Sequence, residues 1–301
     1  MKQKVKRYCT RCIARLKQAN LRIDRRAKLT LIPVLVVVLL SVPLWSAAVR
    51  WRAGAAAPSD SLRVPILVYH NIEPPHVGQS AGQRLLTVDT AVFRRQMSYL
   101  ATNRYVVVPL EALVEALEGH GSLPPRAVVI TFDDGWLTQS QNALPILQQM
   151  HFTATFFVIT RQIGVGTKYM GPVELAALQR AGMTIAAHSR THANLTKLTD
   201  AQLRDEVTGS REDLRKMFGV DAVLFAYPYG AWNGRVAAAV QEAGYHAARA
   251  YPGGTWNDAA HRFTLRSVVA TDDMTAFERE VGGPVIVARA AVPPAAASGQ
   301  R

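Results

Sequence analysis

The chain has 301 residues, 49% of them hydrophobic, and a formal charge of +13. That length suffices for one large domain or two small ones. The charge excludes a broadly basic nucleic-acid-binding face, because residues 1–28 hold eleven Lys and Arg against the single acid Asp24, so most of the excess is one local tail.

Leu29 to Val49 follows, 21 residues without a charge. As a helix it is about 31 Å long, the thickness of a bilayer's hydrocarbon core. The Lys and Arg ahead of it put residues 1–28 in the cytoplasm and the chain beyond residue 50 outside. Trp45 and Trp51 fit the interfacial belt, and Pro33 and Pro43 are tolerated in a membrane helix. The alternative is a cleaved signal peptide, with Ala53 to Ala57 offering the cleavage site; the charged leader and the apolar run are both long for one. Cys9 and Cys12, the only cysteines, have C-x-x-C spacing. No His or further Cys lies near to complete a zinc site, so they read as reduced thiols in the tail.

Residues 50–62 are small and polar and read as a linker, 63–289 as one domain, and 290–301 as a disordered tail. Inside the domain, short apolar runs alternate with helical patterns. The runs 64–70, 105–108, 127–132, 153–159, 183–188, 222–227, 245–250 and 263–269 predict strands. Helices are predicted over 88–103, 109–119, 137–150 (with Pro145 kinking it or starting a new turn), 172–182, 199–219 and 232–244. Thr199 is the expected cap of the long one. Repeated strand–helix units with continuously apolar strands indicate a mainly parallel sheet covered by helices. A barrel and a doubly wound open sheet both satisfy that alternation.

Either architecture gathers its site at the carboxyl ends of the strands. Four predicted strands end in reactive or turn-forming groups: His70, then Asp133-Asp134-Gly135, then His188 with His192 beyond it, then Tyr227-Pro228-Tyr229-Gly230. Two adjacent carboxylates repel, and a divalent metal relieves that repulsion. Neighbouring side chains point apart, so one acid can bind the metal while the other activates water. D-D-G is equally a good solvated turn. His188 and His192 are spaced to share one face of a helical turn and hence one metal. Ser189 rules out the H-E-x-x-H arrangement. Two imidazoles and one carboxylate with open positions remain.

VVITFDDG, AAHSRTH and FAYPYG, in that order and spacing, resemble the successive motifs of the NodB-homology polysaccharide deacetylases, carbohydrate esterase family 4. The resemblance covers about residues 63–270 and implies an α/β fold, an irregular (β/α) barrel preceded here by the membrane helix. It implies Asp133 as general base, Asp134, His188 and His192 as metal ligands, and the backbone N–H of Tyr229 as oxyanion donor. It also implies a divalent ion, zinc first, with nickel, cobalt or iron as alternatives. Two positions depart from the pattern. Ala226 stands where many members carry an Arg that orients the base, and no late Leu-x-x-His-Asp motif supplies the acid. VPILVYHNI looks like the opening of the poly-N-acetylglucosamine deacetylase branch, in which the early His, here His70, is the acid; Asn71 stands where Asp is common.

The expected reaction is hydrolysis of acetamides on an extracytoplasmic polysaccharide, poly-β-1,6-N-acetylglucosamine first and peptidoglycan or chitin oligosaccharides as alternatives. A non-catalytic glycan-binding protein on the same fold is the rival. Expected partners are that polymer, the bacterial inner membrane through the N-terminal helix, and a polysaccharide synthase or export machinery, with no nucleic acid. Trp232 and Trp256 fit a sugar or acetyl pocket as well as they fit simple packing.

Overall fold

Strand parity decides where the chemistry sits. The structure, a computed structural model, describes residues 60–251, 253–282 and 287–289. The basic segment 1–28, the apolar run 29–49 and the tail 290–301 lie outside the described residues. Among those described, no helix is long and apolar enough to cross a membrane.

In chain order the elements are β1 (Asp60–Arg63), β2 (Ile66–Tyr69), β3 (Asn71–Ile72), α1 (Ala81–Leu85), β4 (Thr87–Val88), α2 (Thr90–Thr102), β5 (Val106–Val107) and α3 (Leu110–Leu117). There follow β6 (Ala127–Phe132), a π-helical turn over Gln139–Ala143, α4 (Leu144–Met150), β7 (Thr155–Val158), α5 (Pro172–Arg180), β8 (Thr184–Ala187) and α6 (Asp200–Phe218). The rest are β9 (Leu224–Ala226), α7 (Gly234–Glu242), β10 (Ala247–Arg249), β11 (Trp256–Asn257), a 3-10 segment over Ala259–Thr264, β12 (Val268–Val269), α8 (Met274–Val281) and β13 (Val287–Arg289).

The main sheet runs β10-β9-β8-β7-β6-β2-β12, with β5 also on β6, and its pairings are parallel. It curls until one segment touches both ends. The Leu265 N–H donates to Ala248 of β10 and its carbonyl accepts from Ala250, at 2.9 Å each. A few residues on, β12 pairs with β2. A flat doubly wound sheet is therefore excluded in favour of a curled parallel sheet with helices.

Successive side chains of a strand alternate between faces. The outer set, including Tyr69, Phe132, Phe156, Ile185 and Phe225, packs with Phe93, Met97, Leu144, Leu203 and Val236 of the helices. The inner set, Ile66, Val129, Phe157, Ala186, Leu224, Ala226, Ala247 and Leu265, forms a second cluster with Leu110, Leu113, Val114 and Leu117 of α3. Continuing the inner parity by two-residue steps reaches His70, Asp133, His188 and Arg249 at the carboxyl ends.

Pro145 lies in the first turn of α4, directly after the π-helical turn. Thr199 caps α6 in a capping box with Gln202, and Gly219 ends that helix at φ 67°. Two expectations change. The strand read over 263–269 is a strand only at its end, because Ala259–Thr264 coils as a 3-10 segment capped by Asp258. Strand β1 starts at Asp60, inside the stretch read as linker, because it gains partners distant in sequence: β11 and β13, both antiparallel.

Candidate active site

Asp134 is buried and held at φ 72°, with Gly135 at φ 81° behind it. These left-handed residues turn the chain sharply where β6 ends. A Cβ on Gly135 would press on Val158 at 3.2 Å, so the turn also needs glycine's small volume. The Trp136 indole N–H donates to Asp134 Oδ2 at 2.9 Å. Asp134 Oδ1 faces the histidines, 3.6 Å from His188 Nε2 and 3.5 Å from His192 Nε2. The carboxylate's two oxygens are thus divided between one donor and one open position.

His188 directly follows β8, and its Nδ1 lies 2.7 Å from the Ala226 carbonyl. That carbonyl can only accept, so Nδ1 carries a proton and Nε2 is left facing Asp134. His192 reaches the same point from a loop, not a helix. Ser189 and His192 both have left-handed φ, 60° and 63°, and this irregular turn brings the two imidazoles to 4.9 Å centroid separation. The helical spacing expected for the pair is therefore wrong, although the convergence it was meant to explain is real. One ligand atom each from Asp134, His188 and His192 lies within 4.8 Å of the others. A fixed tautomer, an open carboxylate oxygen and two imidazole nitrogens form a donor set that fits a divalent ion. Burial is the first cause lowering the His192 pKa, followed by the charge of His188; the acids Asp134 and Asp133 pull the other way.

Asp133 is buried beside this set. Burial by itself raises its pKa, but the Arg249 guanidinium, with smaller help from His188 and His70, more than offsets it, so the carboxyl lies below its usual range. Arg249, also fully buried, donates to both Asp133 oxygens. Its guanidinium lies 5.3 Å from the ring centroids of Phe157 and Tyr251. The Tyr251 hydroxyl adds a donor 3.4 Å from Asp133 Oδ2.

His70 Nε2 lies 3.9 Å from Asp133 Oδ2. Burial lowers its pKa first, Asp133 and Asp134 act to raise it, and the net direction is down. The buried Gln139 amide donates to the carbonyls of His70 (2.9 Å) and Asp133 (2.6 Å), tying the ends of β2 and β6 together from the π-helical turn. Such turns recur at functional sites. Asn71 does not reach the His70 ring; its side chain bonds Thr138, Thr87 and Glu73.

Tyr229 has left-handed φ 59° in the turn after β9. Its ring is exposed and lies 4.5 Å from that of His192. Gly230 follows at φ 62°, where a Cβ would run into the Tyr251 ring. Trp232 is 42% exposed on the same loop. Trp256 is elsewhere: it pairs with Arg63 in the small antiparallel sheet at the amino end of β2. Its strand is fixed by β1, not by the parallel sheet.

The sequence reading missed Arg249, Tyr251, Trp136 and Gln139. A basic residue directly after two alanines near the end of the predicted strand YHAARA was the available signal for Arg249.

A curled parallel sheet with an Asp-His-His set and a charge-held aspartate at its carboxyl end defines a hydrolase-type site. Residues 120–248 match the family model described as polysaccharide deacetylase. Residues 120–248 therefore form a polysaccharide deacetylase domain, the domain of a family of hydrolases acting on carbon–nitrogen bonds. It is 30% identical over 184 residues to the Bacillus subtilis protein YxkH, which bears a polysaccharide deacetylase name, covering 61% of this chain and 62% of that one. It is 26% identical over 219 residues to the Escherichia coli poly-beta-1,6-N-acetyl-D-glucosamine N-deacetylase, covering 59% of this chain and 32% of that one. The matched regions thus span less than two thirds of these relatives' own lengths. The Streptococcus pyogenes deacetylase PplD, solved with acetate, shares the fold: TM-score 0.65 at 23% identity over 70% of this chain and 93% of that one.

Proposed function

We propose that the chain is a metal-dependent N-deacetylase of an N-acetylglucosamine-containing polysaccharide outside the cytoplasm, poly-β-1,6-N-acetylglucosamine before any other. One observation carries the reading: Asp134, His188 and His192 converge on a point beside Asp133, whose carboxylate Arg249 keeps ionised. A binding module has no use for a second, charge-held aspartate next to a ligand set. The choice of polymer draws on the relatives named for it in Escherichia coli and in Staphylococcus epidermidis.

Asp134, His188 and His192 would hold a divalent ion, which would supply Lewis-acid chemistry and lower the pKa of water. Asp133 accepts a proton from the attacking water as its oxygen bonds to the acetamide carbon. Arg249 fixes the carboxylate's orientation and protonation state. The Tyr229 N–H donates to the oxyanion that develops on the carbonyl oxygen. His70, with Nε2 3.9 Å from Asp133 Oδ2, gives a proton to the departing sugar nitrogen, and the carbon–nitrogen bond breaks to acetate and free amine. The exposed Trp232 offers a flat face to a sugar ring.

The apolar run 29–49 anchors this domain to the bacterial inner membrane with residues 1–28 in the cytoplasm, beside the machinery that makes or exports the polymer. The test is acetate release by the full chain, supplied with Zn2+, from β-1,6-linked and β-1,4-linked N-acetylglucosamine oligomers. Release from the β-1,6 series supports the reading. Preference for the β-1,4 series overturns the polymer, and release from neither overturns the deacetylase.

A further inference from the structure

The loop between the two histidine ligands is held from behind by one helix. Residues 188–192 leave β8 in an irregular path, with Ser189 and His192 both left-handed. Neither is a glycine, so each sits where its Cβ crowds the backbone. Such residues persist only where the surroundings fix them.

The surroundings come mainly from α6. The Glu206 carboxylate is buried, and it takes three hydrogen bonds from the loop. Its Oε2 accepts from the backbone N–H groups of Arg190 (3.0 Å) and Thr191 (2.9 Å). Its Oε1 accepts from the Thr191 hydroxyl at 2.6 Å. Inside the loop, the His192 N–H donates to Ser189 Oγ at 3.0 Å. Consecutive N–H groups converging on one oxygen form a backbone nest, which a charged acceptor suits better than a neutral one. The same helix grips the Arg190 side chain between Asp205 and Asp213, with Gly209 between them leaving room for the guanidinium. These three α6 positions are spaced by four and share one face.

We infer that Glu206 is a positioning residue for the metal site: it sets the loop that delivers His192 to Asp134. This rests on the reading of Asp134, His188 and His192 as ligands. Glu206 itself touches none of them. Its two backbone bonds fall on residues 190 and 191, midway between the histidines, so losing them frees the turn that aims His192. Groups that orient ligands in this way contribute about 10–100-fold to metal affinity. In Glu206→Gln only the amide oxygen still accepts, while the NH2 group opposes a donor of the loop.

The experiment measures Zn2+ affinity of the full chain by chelator competition, and the visible spectrum of its Co2+ form, for wild type, Glu206→Gln and Thr191→Val, with the exposed Glu212→Gln as control. The expected result is about 10–100-fold weaker Zn2+ binding in Glu206→Gln with a changed Co2+ spectrum. Thr191→Val, which gives up one hydrogen bond, should bind about threefold more weakly. Glu212→Gln should match wild type. Unchanged affinity and spectrum in Glu206→Gln, or in Thr191→Val should the glutamine variant not fold, overturns the inference while leaving the proposed function intact. Wild type that binds no Zn2+ overturns both.

Discussion

Arg249 and Ala226 are register partners across β10 and β9, and from there the Arg249 guanidinium closes on both oxygens of Asp133. Many members of the family that the motifs resemble carry an arginine at the Ala226 position. Here the same charge arrives from the next strand, at the same level of the sheet and on the same inner face. The departure at Ala226 therefore leaves Asp133 with a cation.

This makes Arg249 the side chain on which Asp133 most depends. Removing one partner of a buried ion pair leaves the other charge uncompensated, at a cost on the order of 3–5 kcal/mol. Arg249→Ala should lower the urea midpoint markedly and reduce deacetylation about 100-fold or more, because the base loses both its charge partner and its orientation. Arg249→Lys keeps the charge without the planar fork. It should recover much of the stability and less of the rate. Equal activity in wild type and Arg249→Ala, measured as acetate release, would show that Asp133 needs no cation.

Asp133 and the ligand set make separable predictions. Asp133→Asn removes the proton acceptor and leaves the three ligand atoms in place, so turnover should disappear while bound Zn2+ stays near one per chain by elemental analysis. His188→Ala removes a ligand whose Nδ1 is fixed on Ala226, so that variant should lose the metal and, with it, activity. Turnover in the first variant would remove the assigned base, and full metal content in the second would remove the assigned ligand.

The part of this site legible in the sequence was the part carried by local pattern. His70, Asp133, Asp134 and His188 each stand just past a short apolar run, and the two-residue period of those strands puts three of them on one face. Arg249 has no such local mark: its partner Asp133 is 116 positions away, and only the register of neighbouring parallel strands brings them together. His192 was found for an incorrect reason, since its approach depends on left-handed turns at Ser189 and His192 that spacing does not encode. The place of Trp256 was not legible either, since β11 belongs to a small sheet set by pairing with β1, nearly two hundred residues earlier. Long-range pairing decided each of these outcomes, and a single sequence does not display it.

Trp136 offers a second route to the ligand set. Its indole N–H holds Asp134 Oδ2 at 2.9 Å, and its ring stacks on Tyr169 with centroids 5.0 Å apart and planes 19° from parallel. Trp136→Phe keeps an aromatic ring for the stack and deletes the donor. Zn2+ affinity should fall about 10–100-fold, the range for partners of metal-ligating carboxylates and imidazoles, with the thermal midpoint of the metal-free protein little changed. A large drop in that midpoint with unaltered affinity would assign the residue to packing instead.

Asp213 yields a prediction in pH. It accepts from Arg190 Nε at 2.9 Å and Nη2 at 2.8 Å, and from the Thr160 hydroxyl at 2.8 Å. Burial alone would raise its pKa; the hydrogen bonds from Arg190 and Thr160, with the charges of Arg190 and Arg161, outweigh it and hold the carboxyl below its ordinary value. An unfolded aspartate titrates near about pH 3.9. Between that value and the lower folded one, the unfolded chain binds a proton that the folded chain does not, so stability rises with pH through this window. The contribution is complete above the unfolded value and is lost as pH falls through the folded one. Asp213→Asn should therefore have a lower urea midpoint than wild type at neutral pH, and the gap should narrow below about pH 4. Because Asp213 grips the arginine between the two histidines, the variant should also bind Zn2+ more weakly at neutral pH. A stability gap that persists unchanged into strong acid would mean that the carboxylate's charge contributes nothing, and that the contact acts through shape and neutral hydrogen bonds alone.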